Sequence, residues 1–172
     1  MAKAAKRILT ELTQFNLSFD ESSSGTGTSR YIESLAPSSS DNVLHLSAIL
    51  TGRSLPLETG YANGRWLLSI DVPENYPYMP PKIQFITKIC HPNIKWESGE
   101  VCLDVLQDRW TPVLGVVGAL ECVGRLLAEG ATDSPLGIEV AALERMGDMI
   151  GKRSLVGFWC EEERWNGDLD IL

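Results

Sequence analysis

The hydrophobic period of this chain changes from two to that of a helix, and that change constrains the fold more than any other feature. Leu44, Leu46, Ala48 and Leu50 alternate with the residues between them. Trp66, Leu68, Ile70 and Val72 do the same, and so do Ile83 and Phe85 before Thr87. Strict alternation is the signature of strands with one buried face. Residues 60–64 form a glycine-bounded turn between the first two, and Pro73 ends the second. Three short strands with tight connections read as an antiparallel meander. From Val116 onward the spacing is helical: Val116, Leu120, Val123 and Leu127 mark a buried helix that residues 130–134 close. Residues 138–150 and 155–165 carry two further helical patterns, with Leu155, Phe158, Trp159 and Trp165 as the last stripe. Ahead of the strands, Ala5, Ile8, Leu9, Leu12 and Phe15 make one more helix, with Lys6, Glu11 and Gln14 off its apolar side. Helix, strands, then helices is an α+β order.

The length of 172 residues suits a single domain over 1–172. Its main interruption is a Ser/Gly/Thr-rich insert at about 20–41. Eight of the nine residues 21–29 are Ser, Gly or Thr, and Ser38, Ser39 and Ser40 follow Pro37. Such a stretch buries too little apolar surface to offset its ordering entropy, so a long, mobile connection is expected, with residues 31–35 docking locally. Lys plus Arg total 15 against 23 Asp plus Glu, a net charge of −8, which argues against nucleic acid or an anionic bilayer as partner. The chain nonetheless starts basic, with Lys3, Lys6 and Arg7, and residues 161–172 hold five acids against one Arg. Its sequence offers no spanning segment, secretory signal or lipidation box, so direct membrane insertion is not expected. Cys90, Cys102, Cys122 and Cys160 show no C-x-x-C pair, which argues against a metal site and for reduced thiols, one of which could be reactive.

Between residues 76 and 112 the periodicity fades and special residues crowd together. Tyr76-Pro77-Tyr78-Met79-Pro80-Pro81-Lys82 is a rigid proline turn, His91-Pro92-Asn93 a second turn, and Trp110-Thr111-Pro112 a third. Between the last two, Gly99-Glu100-Val101-Cys102-Leu103-Asp104-Val105-Leu106 sets a cysteine in an extended stretch entered through glycine. These segments, with the later Asp133-Ser134-Pro135-Leu136, resemble in order the core of the ubiquitin-conjugating enzyme family. The resemblance implies an N-terminal helix, a four-stranded antiparallel meander and C-terminal helices.

It also implies roles. Cys102 would be the thioester-forming nucleophile, because a thiolate both attacks an activated carbonyl well and leaves well. The residues alone leave a buried core thiol as the alternative. Nothing basic lies within three residues of Cys102, and Glu100 and Asp104 are close, so its activation is expected to be modest. Asn93 would stabilise the oxyanion or order the site, the alternative being a turn Asn bonded to backbone. His91 and Pro92 would be structural; a Cys–His protease reading of His91 is the rival. Ser134 matches the gate position, with Asp133 beside it able to share that role. Tyr78, Met79, Trp110, Pro112 and Val113 resemble the surface offered to RING-type ligases, with half-buried support as the alternative for Trp110. Lys3, Lys6 and Arg7 match the basic helix start shown to the activating enzyme. From His91 to Cys102 the spacing is one residue longer than usual for the family, with Trp96 in the added region, so a bulged loop is expected there.

Within that family, Arg125-Leu126-Leu127, Gly147-Asp148-Met149 and the Ser-rich insert look most like the peroxisomal, peroxin-type enzymes of yeasts. That implies ubiquitin, its activating enzyme, a RING ligase and a peroxisomal membrane anchor protein as partners, with the matrix-protein import receptor as substrate and no cofactor. The expected location is cytoplasmic, at the cytosolic face of the peroxisomal membrane through the anchor. Met146, Met149, Phe158 and Trp159 are the candidate anchor surface, the alternative being that they are core. Two rival functions stay open: conjugation of another ubiquitin-like modifier, and a non-catalytic ubiquitin-binding variant of the fold.

Overall fold

The computed structural model describes residues 3–20, 29–101, 110–129 and 135–169. Helix α1 spans Lys3–Asp20 and buries Ala4, Ala5, Ile8, Leu12 and Phe15. Leu9, expected on that stripe, is exposed, and Ala4 takes its place. A step of one residue turns the helix by roughly 100°, enough to carry Leu9 off the seam.

Four strands follow: β1 Ile32–Pro37, β2 His45–Thr51, β3 Arg65–Asp71 and β4 Lys82–Phe85. They pair antiparallel in sequence order. The register sets Leu50 opposite Trp66, Leu46 opposite Ile70, and Ile70 opposite Ile83, so the alternating residues share one buried face. β1 lies inside the stretch expected as an insert. Alternation did not reveal it because the pairing shifts between Ile32 and Ser34, so its buried positions fall at Ile32, Leu35 and Ala36. Residues 21–28 lie outside the described residues.

Helix α2, Gly115–Glu129, packs on α1 and β1 and buries Val116, Ala119, Leu120, Val123 and Leu127. The pattern expected over residues 138–150 is divided into α3, Ile138–Arg145, and the start of α4, Met149–Glu162. Gly147 sits between them at φ 73°, a left-handed conformation that ends a helix, and Asp148 then caps α4 by accepting from Gly151 N at 2.8 Å. Trp165 lies past the end of α4, where its backbone N–H donates to Arg65 O at 2.9 Å. Residues of α1, the sheet, α2, α3 and α4 join in one continuous apolar core.

Candidate active site

β4 leaves the sheet at Phe85, and the chain runs buried through Ile89, Cys90, His91, Pro92, Asn93 and Ile94. Tyr61 OH donates to Cys90 O at 2.8 Å, and Pro92 O accepts from Leu136 N and Gly137 N at 2.6 and 2.8 Å. The turn is therefore fastened to β3's approach on one side and to the entry of α3 on the other. His91 is 2% exposed, and both of its ring nitrogens are engaged. Nε2 faces Leu126 O at 3.1 Å, and Nδ1 accepts the Asn93 backbone N–H at 3.1 Å. A carbonyl can only accept and an amide N–H can only donate, so the ring is the neutral tautomer with its proton on Nε2. Burial pushes its pKa down to about 3, against which the Leu126 contact is a smaller effect in the other direction. A ring held neutral between two backbone groups is not a general base, and the protease reading of His91 falls with it.

Asn93 is 1% exposed. Ile94, the next residue, forms an antiparallel bridge with Val101, and Val101 is followed in sequence by Cys102. Beyond that bridge the chain closes a tight turn. Lys95 N donates to Glu100 O at 2.9 Å and Gly99 N to Lys95 O at 2.7 Å, closing a turn that carries Trp96. Gly99 has φ 71°, and a side chain there would meet Phe85 O at 1.9 Å, so only glycine fits. Trp96 packs against Trp159 of α4 at 4.7 Å between ring centroids, with Lys88 Nζ over its ring at 5.1 Å. This turn lies on the far side of the Ile94–Val101 bridge from Asn93. Glu100, noted in the sequence as an acid close to Cys102, pairs with Lys82 at 3.2 Å. Cys102, Asp133 and Ser134 lie outside the described residues.

The other thiols have settled environments. Burial pushes Cys90 up to about 11, with Glu139 adding to it, and Cys160 up to about 12, with Cys90 and Glu161 adding less. Both are protonated at neutral pH and make weak nucleophiles. Cys122 is half-buried on α2.

Two turns present apolar side chains to solvent. Tyr78 and Val113 are 81% and 89% exposed, and Met79 and Pro112 are exposed beside them. Trp110 is the support in this group: it is half-buried, its Nε1 donates to Pro77 O at 3.0 Å, and its ring lies 5.9 Å from Tyr76. The Tyr76–Pro77 peptide bond is cis. Lys3, Lys6 and Arg7 are exposed on α1. Arg7 is also tied down, donating to Glu11 at 2.6 Å and to Pro112 O at 3.1 Å. Glu11 carries no signal in the sequence beyond a charge next to the apolar stripe. Of the expected anchor residues, Met146, Met149 and Phe158 are exposed, whereas Trp159 is half-buried against Trp96 and the core. Ile150 and Ile138 add exposed apolar area on the same helices.

A family model described as ubiquitin-conjugating enzyme matches residues 20–148. The chain belongs to the ubiquitin-conjugating enzyme family. It is 41% identical over 159 residues to the ubiquitin-conjugating enzyme E2 PEX4 of Gibberella zeae, covering 92% of this chain and 87% of that one. It is 38% identical over 138 residues to the ubiquitin-conjugating enzyme E2-21 kDa of Saccharomyces cerevisiae, covering 78% and 74%. The fold is similar to the crystal structure of H. polymorpha ubiquitin conjugating enzyme Pex4p in complex with the soluble domain of Pex22p. The TM-score is 0.85 at 29% identity, over 95% of this chain and 100% of that one. As a member of the ubiquitin-conjugating enzymes, the chain is a transferase that works through a cysteine thioester, between a ubiquitin-activating enzyme and a ligase.

Proposed function

We propose that the protein carries ubiquitin as a thioester on Cys102 and transfers it, with a RING ligase, to the peroxisomal matrix-protein import receptor, while docked on the cytosolic face of the peroxisomal membrane by a partner protein. The observation that carries this reading is the similarity to the Gibberella zeae PEX4 enzyme, which runs along 92% of this chain. The Ile94–Val101 bridge supports the chemistry, because it joins the segment that holds Asn93 to the segment that continues into Cys102. Asn93 is the oxyanion donor or site-ordering residue, and Ser134 and Asp133 form the gate. Tyr78, Met79, Pro112 and Val113, supported by Trp110, face the ligase, and Lys3, Lys6 and Arg7 face the activating enzyme. A partner-borne route to the membrane is supported by the Pex4p relative, solved with the soluble domain of Pex22p. Among the described residues no helix is long and apolar enough to cross a membrane. The exposed Met146, Met149 and Phe158 on and around α4 are the surface for that partner.

Incubation with activating enzyme, ATP and each modifier in turn, followed by mass spectrometry, tests the reading. Wild type should gain one ubiquitin mass that reductant removes. Cys102→Ser should gain a reductant-resistant oxyester, since oxygen leaves less readily than sulfur, and Cys102→Ala should gain nothing. A reductant-sensitive adduct on Cys102→Ala removes the assignment, and a preference for another modifier replaces ubiquitin. Docking is checked separately: binding to peroxisomal membranes should saturate, and should vanish when surface protein is stripped by protease.

A further inference from the structure

The carboxylate of Glu11, on α1, is where three segments distant in sequence meet. Oε1 accepts from Arg7 Nε at 2.6 Å and from the Tyr76 hydroxyl at 2.7 Å. Oε2 lies 2.9 Å from the same hydroxyl and accepts the Val116 backbone N–H at 2.8 Å. The side chain is 10% exposed. Arg7 extends the network through Nη2 to Pro112 O at 3.1 Å. Trp110 closes it from the other side, bonded to Pro77 O and packed beside the Tyr76 ring.

These contacts fall at the roots of the two exposed turns. Tyr76 directly precedes Pro77, Tyr78 and Met79, while Pro112 and Val116 bracket Val113. The tips are solvated, so their relative placement is set by what holds their roots. An ionised acceptor binds its donors about twice as strongly as a neutral one. Val116 also lies in the first turn of α2, where negative charge is favoured by the helix dipole. The Glu11 hydrogen bond is the main effect raising the Arg7 pKa, and after burial it is the main one raising that of Tyr76.

We propose that Glu11 is a positioning residue for ligase engagement: its carboxylate fixes the Tyr78–Met79 turn relative to the Pro112–Val113 turn so that both contact one RING domain together. This rests on the reading of those turns as the ligase surface, and adds to it a residue that touches neither ligase nor ubiquitin. Loosening one root lets one turn drift from the other, which weakens capture of the ligase without changing the reaction in the captured complex.

Discharge of the full chain's ubiquitin thioester to free lysine, titrated with a purified RING domain that accelerates the wild type, separates these effects. Glu11→Gln keeps the volume but loses the charge and one acceptor oxygen. It should raise the half-saturating RING concentration about tenfold, with the rate at saturating RING within about twofold of wild type. Tyr76→Phe removes the hydroxyl bonds and keeps the ring beside Trp110; it should raise half-saturation about threefold. The double variant should be no worse than Glu11→Gln alone, because the two residues act through one contact. Val113→Asp reports on the surface itself. If it raises half-saturation and Glu11→Gln does not, the surface stands and the positioning role is overturned. If neither does, the surface reading fails and takes this inference with it. A saturating rate as depressed as the subsaturating one marks a general structural defect and also overturns the role. Should Glu11→Gln not fold, Tyr76→Phe decides by the same split.

Discussion

His91 and Asn93 are adjacent but for one proline, and both are buried. His91 is locked neutral by two backbone partners. Its pKa is about 3 in the folded protein against an ordinary 6.5, so between those values the unfolded chain binds one proton more. Its contribution to stability is therefore fully present above about pH 6.5 and is lost as pH falls toward 3, at up to about 1.4 kcal/mol per pH unit. Urea unfolding at about pH 7, 5 and 4 should show a steeper loss for wild type than for His91→Gln. Parallel slopes would mean the ring is charged when folded. Asn93 is judged by kinetics instead. Asn93→Ala should slow discharge from the thioester roughly a hundredfold, the value of one oxyanion donor, while loading changes less because the activating enzyme brings its own groups. Equal slowing of both half-reactions would leave Asn93 a purely structural turn residue. The residue types at this turn were readable in sequence. The tautomer of His91 was not, because one of the two groups that settle it, Leu126 O, is thirty-five positions away.

At the scale of elements, alternation identified β2, β3 and β4 because each keeps one face in the core without interruption. β1 breaks that rule with its irregular register, and its Ser and Pro content reads as loop. The division of residues 138–162 turns on two residues, Gly147 and Asp148, whose effect on a helix depends on whether the chain has somewhere to go after turning. Here it does: α4 turns back to pack on α3 and on the 3-10 turn Leu57–Thr59. Asp148 supplies the side-chain cap of α4, so Asp148→Ala should cost about 1 kcal/mol and lower the melting temperature by a few degrees. An unchanged melting temperature would show that the bond to Gly151 N is not formed in solution.

Across the whole molecule, Arg65 ties the sheet to the C-terminal residues. It is buried at the start of β3 and donates to Glu33 of β1 at 2.7 and 3.0 Å, to Asp168 at 3.1 Å, and to the carbonyls of Trp165 and Gly167 at 3.0 and 2.6 Å. Arg65→Met would leave the partly buried Glu33 carboxylate without its counter-charge, at a cost of roughly 2 kcal/mol. It should also open residues 164–169 to limited proteolysis well before the core; equal resistance in variant and wild type would show that the tail is held by other contacts. The sequence alone determines the order of helix, strands and helices, the core faces of three strands, and the turn residues of the site. Those depend on spacing between neighbours, and local spacing is what a sequence displays directly. Tertiary structure alone decided that Arg65 would hold residues 165–168, that Glu11 would join two distant turns, and that Trp96 would stack against Trp159. Each of these is a side chain meeting a partner more than thirty residues away, and only the closing of the fold brings such pairs within hydrogen-bonding or packing distance.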